Sequence, residues 1–289
     1  MNLKFLVLAL LFMGTLACAS FMGRGNVTPT SSATEKANSP PLLFVSNFDN
    51  ASLTGWKREA CCDYSVQTVK LPNRASRQAA KFELKKGDRN VQGGKRTELV
   101  QKTVPANSER WYGFSLMLPP SWKAEESFEI VAQWHSVPDF ALKESWRTPP
   151  LYLSVRNQRW RITNRWDPKP RTLGNDPRPE GGKANLWEGP YQKGGWTDWV
   201  VHVKWSARSD GLLQIWKNGG LVVNKVGANT YHDRQGPYFK MGIYKPDWRY
   251  RPQKSTVETR ILYADEIRIG DSRADYAAVA PPTTKQNHL

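Results

Sequence analysis

Tyr238-Phe239-Lys240-Met241-Gly242-Ile243-Tyr244 alternates residue by residue between apolar and polar character. Side chains two apart share a face of a β-strand. Phe239, Met241 and Ile243 therefore form an apolar face, and Tyr238, Lys240, Gly242 and Tyr244 a polar one. Two earlier segments repeat the pattern. In Gln133-Trp134-His135, Gln133 and His135 share a side with Trp134 opposite; in Arg96-Thr97-Glu98-Leu99, Arg96 and Glu98 share one, with Thr97 and Leu99 opposite. If the apolar faces point into one core, the other side of the sheet gathers Arg, Gln, His, Lys and Tyr. That surface holds a candidate base, a candidate acid and an anion clamp.

The rest of the chain reads the same way. Trp111 to Leu118, Leu151 to Val155 and Trp199 to Trp205 alternate, the last with Trp199, Val201, Val203 and Trp205 on one side. Leu212–Trp216 and Leu221–Asn224 flank Asn218-Gly219, a hairpin signal. Long periodic helices and internal repeats are absent. The fold expected is all-β, an antiparallel sandwich or jelly roll. Pro, Gly, Lys and Arg cluster between Asp167 and Pro190, which predicts a long loop at the rim of a cleft.

The 289 residues bound one large β domain or two small ones. Lys4 precedes an apolar run, Phe5 to Met13, and small residues at Ala17-Cys18-Ala19. This predicts a secretory signal over 1–19, cut after Ala19 or, as a lipoprotein signal, ahead of Cys18. Either reading gives an exported protein, secreted, periplasmic or lipid-anchored at the envelope. A tether rich in Ser, Thr, Asn, Gly and Pro follows over 20–41. The globular domain is expected over 42–275 and a disordered tail over 276–289.

With Lys+Arg 42 against Asp+Glu 26, the formal net charge is +16. Such a balance speaks to partners and not to fold. Export disfavours nucleic acid, and no basic amphipathic helix favours a membrane surface, leaving an N-terminal lipid anchor as the only expected membrane contact. An acidic polysaccharide fits best, bound by a monomer. Cys61 and Cys62 are adjacent, so they are two thiols or a local vicinal bridge, with no disulfide framework.

RTEL, QWH and YFKMGIY, in this order, resemble the three signature strands of the jelly-roll polysaccharide lyases. In the alginate lyases of that group the pattern is R-x-E-L, Q-[IV]-H and Y-F-K-x-G-x-Y. Trp111-Tyr112-Gly113-Phe114, Gly195-Trp196-Thr197-Asp198-Trp199 and Lys204-Trp205-Ser206 are similar to the heparin lyase I-like family. Trp134 departs from the alginate pattern, and the chain has little room for the basic thumb of heparin lyase I. The resemblance implies a lectin-like, concanavalin-type two-sheet jelly roll with a substrate groove. It also implies β-elimination of a uronate-containing chain of alginate, glucuronan or heparin type.

On that reading Arg96 and Gln133 neutralise the uronate carboxylate, which makes the C5 proton acidic. The resemblance assigns His135 as the base that removes this proton. Tyr244 protonates the leaving C4 oxygen, with Lys240 lowering its pKa or holding an adjacent carboxylate. Tyr238 joins the substrate-binding set, and Glu98 pairs with Arg96 there. Tryptophans 146, 160, 166 and 187 are interleaved with Arg147, Arg159, Arg161, Arg165, Arg171 and Lys183. Trp166, Arg165 and Arg171 are the expected sugar subsites of this stretch. His202 and His232 read as structural or merely exposed. The chemistry requires no cofactor. A structural Ca²⁺ drawing on Asp49, Asp265, Glu266 or Asp271 is an option, with no ligand loop to fix it. The rival reading is a noncatalytic carbohydrate-binding or cell-surface protein on the same scaffold; an extracellular nucleic-acid binder rests on charge alone.

Overall fold

The computed structural model describes residues 42–70, 78–174 and 181–282. The expected signal and tether therefore lie outside the described residues. Fifteen strands are described: β1 (Leu42–Ser46), β2 (Lys57–Glu59), β3 (Val66–Lys70), β4 (Gln78–Lys85), β5 (Arg96–Pro105), β6 (Glu109–Met117), β7 (Glu129–His135) and β8 (Leu151–Arg156). They continue with β9 (Arg159–Trp166), β10 (Gly182–Pro190), β11 (Trp196–Lys204), β12 (Leu212–Lys217), β13 (Gly220–Val226), β14 (Gln235–Tyr244) and β15 (Thr259–Gly270).

These strands build two antiparallel sheets. One runs β13-β12-β11-β6-β15-β4-β3, with β1 also on β15; the other runs β10-β9-β8-β7-β14-β5-β2. Alternation is the reason they stack. Phe239, Met241 and Ile243 of β14 are buried, as are Trp134 of β7 and Trp199, Val201 and Val203 of β11. The Trp134 ring lies 5.1 Å from Phe239 and 5.3 Å from Tyr112 of the facing sheet. Such aromatic contacts between the inner faces close the sandwich. Asn218 and Gly219 both take positive φ, 48° and 83°, which is the geometry a two-residue hairpin turn requires.

Two expectations need correction. The breaker-rich stretch before Pro190 is not all loop. Its second half is β10, which pairs along β9 from Gly182↔Trp166 to Pro190↔Arg159. Trp187 supplies an apolar anchor there, 6.1 Å from Trp199. Nor is the expected tail free at its start, although its residues 283–289 lie outside the described residues. Tyr276–Val279 forms a short helix, α1, capped by the Asp275 carboxylate, which accepts from the Ala278 N–H at 2.8 Å. Val279 is fully buried with Val200 and Ala274, packed by Trp111, Trp216 and Tyr276 on the outer side of β11. Arg268 also donates to the Ala280 carbonyl at 2.6 Å. Residues 276–280 thus dock by one valine and a capped turn.

Candidate active site

The three signature segments fall on β5, β7 and β14, and these strands are neighbours, with β14 in the middle. Tyr238 lies opposite His135 and Lys240 opposite Gln133 on the β7 side. On the β5 side Tyr244 lies opposite Arg96 and Gly242 opposite Glu98. Gly242 does not serve to let a ligand approach, as glycine in a strand can. Its φ is +139°, and a Cβ there would sit 2.1 Å from the Thr97 carbonyl oxygen. It allows β14 to bulge against β7, where Met241↔Ala132 is followed by Tyr244↔Ile130, while the register with β5 stays in step and sets Tyr244 beside Arg96.

His135 is held on three sides. Its Nδ1 lies 2.9 Å from the Ser136 carbonyl oxygen. A carbonyl only accepts, so Nδ1 carries the proton and Nε2 keeps its lone pair. The ring stacks on Tyr238 at 5.6 Å and meets the edge of Trp146 at 5.7 Å. Burial, reinforced by the Lys240 and Arg96 charges and opposed by the Ser136 bond, brings its pKa down to about 4. At neutral pH it is a neutral base.

Beneath it lies a closed polar cluster. Lys240 Nζ is 2.7 Å from both Glu59 Oε2 and Glu98 Oε2. Arg96 Nη1 reaches Glu98 Oε2 at 3.1 Å and Glu59 Oε2 at 3.7 Å. The Gln133 amide nitrogen donates to Glu98 Oε1, while Gln133 Oε1 is buried with no hydrogen-bond partner among the described residues. Burial would raise the Glu98 pKa, but Lys240 and Arg96 outweigh it and hold the group below the usual carboxylate range.

This cluster corrects two assignments. Lys240 is 1% exposed and committed to two carboxylates, so it does not hold substrate, and Glu98 is likewise buried beneath the surface. Lys240 does not lower the Tyr244 pKa either. Burial raises that pKa, and the cations opposing the rise are Arg96, whose guanidinium lies 4.4 Å from the ring centroid, and Arg249. Tyr244 is therefore a protonated phenol at neutral pH, as a proton donor must be. Burial, with the Glu59 and Glu98 charges, also raises the Tyr238 pKa.

Two hollows of about 380 Å³ each open on this face. Arg96, Gln133, His135, Tyr152 and Tyr244 line one. Lys57, Gln101, Thr103 and Tyr238 line the other, and the two meet at Gln92, Arg96, His135 and Trp146. Beyond Tyr244 the strand end is anchored by Lys245, which is buried against Glu125 at 2.5 Å and Glu129 at 3.3 Å.

The basic stretch expected to form subsites goes elsewhere. Along β9, Trp160, Ile162 and Trp166 share one side and Arg161, Thr163 and Arg165 the other. Trp166 is turned from the hollows, with Lys225 Nζ 4.6 Å from its ring, and Trp160 is wholly buried. Arg165 is buried next to the Tyr231 phenol. Arg171 is exposed and donates to the Lys143 carbonyl at 3.5 Å. Neither arginine lines a hollow. Of the four tryptophans only Trp146 stands at the site, exposed and 5.7 Å from Phe140. Arg165→Gln is thus expected to lower the melting temperature, since a buried polar partner left unmade costs ~1–3 kcal/mol, and Arg171→Gln to leave it unchanged. Neither should raise KM; a melting curve and a saturation curve for each variant check this.

Residues with no sequence signal complete the site. Glu59 and Lys57 come from the three-residue edge strand β2, and Gln92 from the turn closed by Val91 and Gly94. His202 is structural, stacked on Trp111 at 3.8 Å with Nε2 2.7 Å from Glu109; His232 is exposed. Cys61 and Cys62 form the vicinal bridge. The acids considered for Ca²⁺ do not come together as three ligand atoms among the described residues. Among the described residues the only grouping of three His, Cys, Asp or Glu ligand atoms is Cys61, Cys62 and Asp88, with both sulfurs in the disulfide. Glu266 and Asp271 pair instead with Arg268 and Arg273.

The sequence model of one family, described as polysaccharide lyase, matches residues 45–268. Among solved structures the fold is similar to an endo-β-1,4-glucuronan lyase from the fungus Trichoderma reesei, with TM-score 0.69, 20% identity, and coverage of 84% of this chain and 100% of that one. It is also similar to an alginate lyase of polysaccharide lyase family 7, with TM-score 0.50, 14% identity and coverage of 76% and 95%. A GH131 β-glucanase catalytic domain from Podospora anserina gives TM-score 0.50, 16% identity and coverage of 80% and 92%. At these identities the likeness is one of fold. No curated protein matches the sequence.

Proposed function

This chain belongs to the polysaccharide lyase family and is a lyase, and on that premise we propose that it cleaves an unsulfated polyuronate, of glucuronan or alginate type, by β-elimination. The observation that carries the reading is one hollow bordered by a neutral His135, a protonated Tyr244 and the Arg96 guanidinium. With a uronate in it, Arg96 hydrogen-bonds the C6 carboxylate and stabilises the enolate-like charge as it grows. His135 Nε2 takes the C5 proton. The C5 electron pair forms the C4–C5 double bond, the C4–O bond breaks, and the Tyr244 hydroxyl protonates the departing oxygen. Gln133 is as buried as Lys240 and its amide nitrogen donates to Glu98, so it steadies the cluster beneath Arg96 and does not itself neutralise the carboxylate.

The charge count favours a polymer with a single carboxylate per sugar over a sulfated one. Arg96 and Lys240 face Glu59 and Glu98, and Arg147 faces Glu144 and Asp233. Little cationic charge is left for sulfates. Such a substrate lies outside the cell, in keeping with an exported protein.

The test is incubation with glucuronan, alginate and heparin, reading the ultraviolet absorbance of the unsaturated product. Reducing ends without that chromophore would mean hydrolysis and end the reading. Tyr244→Phe removes one hydroxyl from the same hollow. It is expected to lower kcat by about 10²-fold, the lower end for a general acid because water partly replaces it, with an unchanged melting temperature.

A further inference from the structure

We propose that the second hollow is the subsite for the uronate next to the one being cleaved, with Lys57 binding its carboxylate. The inference rests on the lyase reading and extends it to a residue outside every signature segment. Six ion pairs surround the two hollows, and they use every lining cation except one. Arg96 and Lys240 contact Glu59 and Glu98, and Arg147 contacts Glu144 and Asp233. Lys57 is exposed and has no acidic partner among the described residues.

Register puts it where a neighbouring sugar would need it. Lys57 and Lys240 both lie opposite Val100, one from each side of β5, and Gln133 lies opposite Lys240. Lys57, Val100, Lys240 and Gln133 thus form one row across four strands, and cross-strand neighbours in such a row share a face. With strands about 4.8 Å apart, the row spans roughly 14 Å, on the scale of consecutive sugars and not of one. Its middle cation is buried under Glu59 and Glu98, so the next free positive charge beyond Arg96 is Lys57.

The hollow also offers the other half of sugar recognition. Tyr238, Val137 and Trp146 give it an apolar wall beside the polar side chains of Gln101 and Thr103. Gln101 is fixed by the hydrogen bond its amide nitrogen donates to the Gly55 carbonyl at 3.1 Å, in the turn that leads into β2. A polymer lying across both hollows passes directly over His135, where they meet. The carboxylate being activated then lies at Arg96 and the next at Lys57.

The experiment compares the full chain, Lys57→Gln and Lys57→Arg on whichever of glucuronan and alginate the parent cleaves, at low and high salt. Lys57→Gln is expected to raise KM about fivefold at low salt, the effect of losing one exposed charge pair, with a smaller change in kcat. High salt should raise the parent's KM toward that of Lys57→Gln, while Lys57→Arg keeps most of the parent's affinity. All three should melt alike, because the side chain is exposed. Equal KM values and equal salt dependence for parent and Lys57→Gln would overturn the subsite and leave the lyase reading standing. A parent that releases no unsaturated product from either polymer would overturn both.

Discussion

His135→Ala is expected to lower kcat by ~10²–10⁴-fold, the usual contribution of a positioned general base, while the protein melts close to the parent temperature. The ring lies above the core, against Tyr238 and Trp146 and not among the apolar side chains of β14. Removing it therefore empties part of a hollow already open to solvent. The acid limb of activity gives a second readout. With a pKa of about 4, His135 stays unprotonated well below the ordinary histidine value of 6.5. The rate should hold from neutral pH down to about 5 and fall toward 4 as the base is lost. The sign for stability runs the same way: between 6.5 and 4 the unfolded chain takes up a proton that the folded one refuses, so stability declines as the pH drops through that window. His135→Ala should be less sensitive to acid there. Kinetics across pH 3.5–8, with melts of both proteins, check each part. A variant that turns over like the parent would displace the base from His135; one that is inactive only because it unfolds would make the histidine structural.

What the sequence made legible follows from the period of the strand. Alternation in β14 placed Phe239, Met241 and Ile243 in the core and Tyr238 and Tyr244 on the open face, and both placements are seen. The same rule put Arg96, Gln133 and His135 on one surface. It fails where a partner comes from far along the chain. Lys240 reads as an exposed cation because nothing near it in sequence neutralises it; the residue that does, Glu59, is 181 positions away on a three-residue edge strand. Lys57 is illegible for the same reason, since a strand that short has no period. Trp166 and Arg165 group together by composition, yet as adjacent residues of β9 they point to opposite faces. The stretch just after Asp275 reads as free because a single buried valine leaves no pattern.

Lys240→Met is expected to be the most destabilising change at the site, and its cause is electrostatic. Methionine keeps the length of the stem and removes the charge. Glu59 and Glu98 would then share Arg96 alone, with both carboxylates still buried. Removing one partner from a buried ion cluster costs ~3–5 kcal/mol. For a domain of this size each kcal/mol moves the melting temperature by about 2–4 °C, so a drop of roughly 10 °C follows. The loss should depend on pH. In the parent, Lys240 and Arg96 hold the Glu98 pKa below its ordinary value, a stabilisation present at neutral pH and lost as acid protonates the folded carboxylate. In the variant Glu98 accepts a proton more readily, which relieves the uncompensated charge. The gap between the two proteins should therefore be widest near pH 7 and narrow toward pH 4. Thermal melts at both values measure it. If Lys240 instead held substrate, Lys240→Met would melt like the parent at every pH and show its defect only as a raised KM, which a buried amine clamped between two carboxylates does not permit.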